Sequence, residues 1–178
     1  MKIKIEVSNK HIHLCKEDAD LLFGEGYKFI KFKDLSQPGQ YAVEEKVRIS
    51  QNNKTLHLRI LLPFREESQI ELSNTDAHEL GSILPVRLSG DLTDAISLEV
   101  TGPKGTTMVK SIIAKNHIHA TLDTPLLSKV SVKVEGERPM IFKDVPVRKS
   151  KDFVLVMHID RDESNALNKE SEGETQNE

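Results

Sequence analysis

Four of the seven histidines in this 178-residue chain occur in two identical His-Ile-His triplets, at residues 11–13 and 117–119. In a β-strand, residues i and i+2 point to the same face of the sheet. A strand would therefore direct both imidazoles of a triplet to one side and the isoleucine to the other. Imidazole is a frequent ligand for zinc and its neighbouring transition metals. Because the triplet recurs in similar surroundings, we predict two metal sites rather than two pairs of half-exposed strand histidines.

Two histidines do not complete a zinc site, since catalytic zinc usually has three protein ligands and one open position. His158 is the candidate third ligand for His117 and His119. It ends an apolar run over residues 153–157 that has the character of a strand. A zinc ion held by three histidines with one open position would act as a Lewis acid on a carbonyl or phosphoryl oxygen.

A carboxylate is the expected third ligand for His11 and His13. Glu17 and Glu71 are both candidates, and Glu71 lies in an apolar strand, where a buried carboxylate needs a partner. Cys15 could also serve if the strand continued past His13. Its position suits the N-cap of a short helix better. The remaining two histidines, at positions 57 and 78, are expected on the surface.

The composition excludes several classes of protein. The net charge is −3, and six acids and two bases in residues 161–178 account for all of it, so the rest of the chain is close to neutral. A nucleic-acid surface would require a clustered basic excess. One cysteine excludes an internal disulfide framework. No apolar run approaches the ~18 residues of a membrane span, and residues 1–7 alternate like a strand, so we expect a cytosolic protein without a targeting extension.

Short alternating or apolar segments separated by turn residues predict many short strands. Short helices are expected at residues 15–22, 74–81 and 162–167, with an Asn cap on the second of them. The Gly-Pro-Lys-Gly segment at 102–105 could hold a phosphate, but a hairpin turn accounts for it fully. Strands are expected at residues 2–8, 42–49, 55–62, 69–72, 96–101, 106–113, 129–134, 138–143, 145–149 and 153–159, with a loop at 85–91.

This pattern predicts an all-β fold of two small β-barrels with short capping helices and the metal site between them. One barrel is expected to contain residues 1–9 and 117–167, and the other residues 10–116. Residues 168–178 are polar and acidic, which predicts a disordered tail.

Two other functions are compatible with the histidines. The spacing from His11 through Glu17 to Gly24 matches most of the first cupin motif, which suggests a cupin-like metal-dependent oxygenase or isomerase with one metal. The expected preceding glycine is absent, since position 5 is isoleucine, and no second cupin motif is found. A non-catalytic metal-binding β module is the other alternative.

Four segments resemble the phosphate propanoyltransferases of the propanediol-utilisation type, in order and over residues 3–167. They are Val-Ser-Asn-Lys-His-Ile-His-Leu, Asp-Leu-Ser-Gln-Pro-Gly-Gln-Tyr-Ala, Pro-Val-Arg-Leu-Ser-Gly-Asp and Met-His-Ile-Asp. The resemblance implies two β-barrels, a dinuclear zinc site and a homodimer. It also implies interconversion of acyl-CoA and phosphate with acyl phosphate and CoA.

Transferred by motif, the resemblance favours Glu71 over Glu17. It implies that Arg65 binds phosphate and is the catalytic residue, that Asn165 contacts the coenzyme, and that Val7 and Ser8 contact substrate. The two zinc ions would be held by His11, His13 and Glu71, and by His117, His119 and His158.

The expected reaction is zinc-assisted direct attack of phosphate on the thioester, without an acyl-enzyme. Two features depart from the family. Residues 121–129 are shorter than the corresponding segment, and the N-terminal extension of microcompartment-housed members is not seen. Acetyl and propanoyl groups both remain candidates, and we expect acetyl-CoA to be the substrate in general metabolism.

Overall fold

The structure is a computed structural model, and it describes residues 1–168 and 171–176. Short strands dominate these residues, and the predicted all-β class is confirmed. The helices are α1 (Lys16–Phe23), α2 (Asn74–Glu79) and α3 (Arg161–Ala166). The strands are β1 (Lys2–Val7), β2 (His11–His13), β3 (Lys31–Asp34), β4 (Tyr41–Gln51), β5 (Lys54–Leu62), β6 (Gln69–Leu72), β7 (Val86–Arg87), β8 (Ile96–Thr101), β9 (Thr106–Ala114), β10 (His117–Ala120), β11 (Lys129–Val134), β12 (Met140–Lys149), β13 (Val156–Ile159) and β14 (Glu172–Gln176).

The chain divides into two compact units. One contains Met1–Asn9 and Lys115–Glu178, and the other contains Lys10–Ala114. In the first unit, six strands close into a barrel in the order β1-β13-β10-β12-β11-β14, which we call the terminal barrel. In the second, strands β4-β5-β2-β6-β9-β8 form a six-stranded ring that closes where β8 pairs with β4. We call this ring the central barrel; β3 and β7 extend it.

The two barrels have the same topology. Strand β2 pairs in parallel with β5 and antiparallel with β6, just as β10 pairs with β12 and β13. The next pairs around each ring, β6 with β9 and β13 with β1, are also both parallel. The strand before each triplet belongs to the other barrel, since β1 precedes β2 and β9 precedes β10.

Each barrel has its own apolar core, to which the triplets contribute their isoleucines. Ile12 and Ile118 are fully buried within the central and terminal clusters respectively. The four histidines beside them are also buried. Alternation along each strand therefore anchors the backbone through the isoleucine and fixes the direction of the two imidazoles.

The prediction of a disordered tail over residues 168–178 is wrong for residues 172–176. This segment forms β14, which pairs with both β1 and β11 and completes the terminal barrel. Gly173 and Thr175 face inward, and the two glutamates between and beside them face outward. The alternation is present, but the inward residues are not large hydrophobics, so the strand lacks the usual apolar signal.

Three local predictions also need correction. The cap of α2 is Ser73 rather than Asn74. The two strands predicted at 138–143 and 145–149 are one strand, β12 (Met140–Lys149), with Asp144 at positive φ near its centre. The predicted loop at 85–91 contains the two-residue strand β7. The segment at 102–105 is a hairpin turn, as expected, closed by the Gly102 N–H donating to the Gly105 carbonyl. None of the helices in the described residues is long and apolar enough to cross a membrane.

Removal of residues 171–178 should destabilise the terminal barrel, because β1 and β11 would each lose the strand that pairs with them. Several lost backbone hydrogen bonds at about 0.5–1.5 kcal/mol each predict a loss of a few kcal/mol, or roughly 5–10 °C in Tm. Calorimetry of the truncated chain measures this loss. An unchanged Tm for this truncation would contradict the barrel closure by β14.

Candidate active site

Three buried side chains of the central barrel converge on one point. His11 and His13 lie on β2, and Glu71 lies on the neighbouring strand β6 directly opposite His11. The Nε2 atoms of the two histidines are 3.2 Å apart. His11 Nε2 is 3.6 Å from Glu71 Oε2, and His13 Nε2 is 3.7 Å from Glu71 Oε1. Within the described part of the chain, this is the one group of three or more potential ligands whose donor atoms all lie within 4.8 Å of one another.

These distances suit a tetrahedral metal ion. Ligand atoms about 2.1 Å from one tetrahedral zinc lie roughly 3.4 Å apart. The three separations in the structure, 3.2, 3.6 and 3.7 Å, are close to that value. Two imidazoles and one carboxylate are also a ligand set found in catalytic zinc sites. The residues present therefore fit a zinc ion.

The electrostatics of the cluster favour the protonation states in which its side chains can bind a metal. Burial lowers the pKa of His13 well below its usual value of 6.5, and the nearby His11 and Arg65 lower it further. Burial alone would raise the pKa of Glu71, but the histidine charges and hydrogen bonds from His11 and Ser89 outweigh it and hold the pKa well below 4.5. Neutral imidazole and ionised carboxylate are the forms that bind a metal.

Arg65 points into this cluster. Its Nη2 is 2.8 Å from His13 Nε2, and its Nη1 is 3.9 Å from Glu71 Oε1. Arginine can only donate, so His13 Nε2 accepts and its lone pair faces the guanidinium; a metal ion bound by this nitrogen would take the place of that hydrogen bond. The side chain of Arg65 remains 33% exposed. A fixed guanidinium that solvent can reach beside a metal-type site is suited to binding an anion.

Ser89 connects the groups of the cluster and was not identified from the sequence. Its hydroxyl donates to Glu71 Oε1 at 2.6 Å and accepts from Arg65 Nη1 at 2.9 Å and from Gln69 Nε2 at 3.2 Å. Gln69 also donates to Glu71 Oε1 at 2.5 Å and accepts from the Gly90 N–H at 2.9 Å. Gly90 has φ +95°, a conformation that favours glycine. A Ser-Gly pair in a loop is the only sequence signal for this network, and it is not specific.

A cavity of about 250 Å³ opens beside His13 and Arg65. One wall is the turn at residues 38–40, and the other is the segment at 62–64. The turn belongs to the Asp-Leu-Ser-Gln-Pro-Gly-Gln segment that the sequence analysis singled out. The cavity gives a small ligand access to the guanidinium and to the metal-type cluster from the same side.

The terminal barrel brings three histidine rings together at the equivalent strand positions, although their ligand atoms do not all lie within 4.8 Å of one another as those of the first cluster do. His158 on β13 lies directly opposite His117 on β10, in the same register as Glu71 and His11. The ring centroids of His117, His119 and His158 are 4.7–5.4 Å apart. His117 Nδ1 is 3.0 Å from the Lys115 carbonyl, to which it can donate. Metal-bound histidines commonly make this contact with the nitrogen that faces away from the ion.

The other candidate ligands lie apart from the first cluster. Glu17 is exposed on α1. Cys15 is the N-cap of that helix without a capping hydrogen bond, and its thiol contacts Asp18 and Ser68. His57 and His78 are exposed, as expected.

The predicted substrate-contact residues lie in the unit of the terminal barrel. Val7 ends β1 with its side chain exposed, and the Ser8 N–H donates to the Ile159 carbonyl. Asn165 is exposed on α3. Their contact with substrate stays a prediction.

Comparison with known proteins shows the family to which the chain belongs. A family model described as phosphate propanoyltransferase matches residues 4–170. The chain belongs to the phosphate propanoyltransferase family. It is 42% identical over 173 residues to the phosphate propanoyltransferase of Listeria monocytogenes, covering 92% of this chain and 81% of that protein. Identity is 43% over 173 residues with the Clostridioides difficile protein and 44% over 174 residues with the Thermotoga maritima protein; each alignment covers 92% of this chain and 83% of the relative.

Membership in the phosphate propanoyltransferase family confirms the resemblance drawn from the sequence and identifies the protein as an acyltransferase. The family match over residues 4–170 also favours acyl transfer over the cupin-like oxygenase or isomerase. Three of the four segments that carried the resemblance have structural roles near the cluster: the first contains His11 and His13, the second lines the adjacent cavity, and the third contains Ser89.

The buried cluster predicts that the metal-free protein loses stability on acidification. A lowered histidine pKa means that the unfolded chain binds more protons below pH 6.5, so the unfolding free energy falls as the pH decreases through that value. The lowered pKa of Glu71 adds a further loss below pH 4.5. Urea unfolding of chelator-treated protein between pH 5 and 8 measures the effect.

His13→Gln should reduce this pH dependence, because it removes one buried group that resists protonation. His57→Gln is the matched control at an exposed position and should retain the parent's dependence. A parent unfolding free energy that does not change between pH 5 and 6.5 would contradict the assigned direction.

Proposed function

We propose that this protein is a phosphotransacylase that interconverts acyl-CoA and phosphate with acyl phosphate and CoA. Family membership supports the acyl transfer. The use of phosphate as the second substrate is supported by the position of Arg65. Its guanidinium contacts His13 and Glu71, and the residue also lines the adjacent cavity.

Arg65 is the proposed phosphate-binding residue. A guanidinium beside a dication is unfavourable unless an anion lies between them. Its two terminal nitrogens form a planar fork that matches two phosphate oxygens. Ser89 holds one of those nitrogens at 2.9 Å and so limits the rotation of the fork. Binding phosphate here would place a nucleophilic oxygen at the mouth of the cavity.

Two zinc ions per chain are the proposed cofactors. One set of ligands would be His11, His13 and Glu71, whose separations fit a tetrahedral ion. The other would be the three histidines of the terminal barrel. Bound zinc would supply a Lewis acid that stabilises negative charge developing on the thioester carbonyl oxygen.

The reaction proposed is a direct displacement. A phosphate oxygen, oriented by Arg65, attacks the thioester carbonyl carbon and forms a C–O bond. The C–S bond then breaks, and its electron pair leaves on the CoA thiolate. Cys15 takes no part in this displacement, since no acyl-enzyme is formed and its thiol is buried in contact with Asp18 and Ser68.

The acyl group is proposed to be acetyl or propanoyl. The two differ by one methylene, which is worth only about 1–3 kcal/mol in a well-fitted pocket. CoA contacts by Asn165, Val7 and Ser8 and a homodimeric state are further parts of the proposal, supported by the family resemblance. A cytosolic location is also proposed, supported by the single cysteine, which suits a reducing compartment.

A non-catalytic metal-binding module is the alternative from another class. Such a module would not need Arg65 beside the metal ligands, and the side chain would then be expected to point away from them. In the structure Arg65 Nη2 lies 2.8 Å from His13 Nε2. This contact favours the enzyme.

Arg65→Lys should raise the KM for phosphate by roughly 10–100-fold, since a lost hydrogen bond to a charged group costs about 1.5–3 kcal/mol. The KM for acyl-CoA should change less than about twofold, because the fork acts on phosphate. Initial rates of CoA release from acetyl-CoA and propanoyl-CoA, followed with a thiol reagent, give both constants.

Arg87→Lys is the matched control, because Arg87, on β7 and two residues before Ser89, contacts Thr93 and Asp94 rather than the cluster. It should behave like the parent. If the parent, loaded with zinc, releases no phosphate-dependent CoA from either substrate, the proposed function is wrong. Equal effects of Arg65→Lys on both KM values would contradict the role given to Arg65.

A further inference from the structure

The helix that follows each third ligand begins in the same way. Glu71 is followed two residues later by Ser73, the N-cap of α2, and His158 is followed two residues later by Asp160, the N-cap of α3. Both helices have a complete capping box, in which the third helical residue also carries a carboxylate, Asp76 or Glu163. A capping box satisfies backbone donors at the helix start.

Each of these carboxylates makes a second contact that the cap does not require. Asp76 uses Oδ2 for the Ser73 backbone and hydroxyl, and its Oδ1 accepts from Lys10 Nζ at 2.7 Å. Lys10 immediately precedes His11. The side chain of Asp76 is buried, with 8% exposure, and that of Lys10 is 32% exposed.

In the terminal barrel, the two carboxylate oxygens of Glu163 likewise have separate partners. Glu163 uses Oε2 for the Asp160 backbone, and its Oε1 accepts from Asn116 Nδ2 at 2.5 Å. Asn116 immediately precedes His117. The two contacts differ in chemistry, an ion pair in one barrel and an amide–carboxylate hydrogen bond in the other, but they join equivalent positions.

We propose that Asp76 and Glu163 are positioning residues for the two ligand triads. Each one ties the helix that begins two residues after the third ligand to the residue just before the first histidine. The inference rests on the proposed metal centres and goes beyond them, because it assigns roles to four residues that do not belong to the ligand set.

The short length of the triplet strands explains why the Lys10–Asp76 and Asn116–Glu163 contacts would be needed. Strand β2 has three residues and β10 has four, so few backbone hydrogen bonds hold each against the strand with the third ligand. A side-chain contact at the end where the first histidine faces the third ligand restrains that pair against sliding or splaying. Residues that orient metal ligands typically change metal affinity 10–100-fold when they are removed.

Asn116→Ala removes the contact with Glu163, and Lys10→Met removes the contact with Asp76. These variants test the proposal because each leaves the capping box itself intact. In the metal-free protein, Asn116→Ala should shift the ring NMR signals of His117 and His158 and leave those of His11 and His13 unchanged. Lys10→Met should do the opposite. In zinc competition against a chelating dye, each variant should weaken its own site at least about tenfold and spare the other. His119→Ala and His13→Ala each remove one proposed ligand from one triad, so they show which of the two measured zinc affinities belongs to which site.

Controls remove contacts of the same kind elsewhere. Glu137→Ala removes the hydrogen bond from Asn168, and Lys16→Met removes the ion pair with Asp20 on α1. Neither should alter histidine signals or zinc affinity. Lys10→Arg keeps the ion pair and should restore both readouts to nearly the parent values.

If the histidine ring signals are unshifted in both Asn116→Ala and Lys10→Met, the inference is overturned, whether or not zinc binds. Equal weakening of both sites by either variant, in parallel with a lower Tm, would also overturn it, since that pattern reports general destabilisation. A parent that binds no zinc would instead refute the proposed metal centres, while the NMR comparison would still decide the positioning role.

Discussion

The register between two short antiparallel strands is the constraint on which the rest of the structure depends. In the central barrel, it places Glu71 opposite His11, and in the terminal barrel it places His158 opposite His117. Alternation along each triplet strand then adds the second histidine to the same face. A shift of one residue in either strand would turn its ligands to the opposite face. The buried isoleucines Ile12 and Ile118 oppose such a shift, because it would remove them from the two cores.

Charge gives the central cluster its chemical character. A buried carboxylate is unfavourable alone, and here Glu71 is balanced by two imidazoles, a serine hydroxyl, a glutamine amide and a guanidinium. The same interactions lower the pKa of Glu71, and burial and neighbouring cations lower the pKa of His13. The site therefore combines metal-type ligands with one cation, Arg65, whose side chain is held by Ser89 and His13 and remains partly exposed.

The sequence predicted the parts of this arrangement that follow from local periodicity. The triplets, their strands and the all-β class depend on alternation and on residue type, and the structure confirms the class. The choice between Glu17 and Glu71 depended on strand pairing, which periodicity does not specify; only the family resemblance favoured Glu71. Ser89 was missed because its contacts are long-range and a Ser-Gly pair is common. Strand β14 was missed because its inward residues are small or polar, so its pairing depends on two strands distant in sequence.

Anomalous X-ray scattering at the zinc edge, from crystals of zinc-loaded protein, tests most directly whether paired strands build two metal centres. The account predicts one peak about 2.0–2.2 Å from His11, His13 and Glu71, and a second at the same distance from His117, His119 and His158. A peak bound by Cys15 or Glu17 in place of Glu71 would contradict the ligand assignment. The absence of a peak at both triads would contradict the central claim.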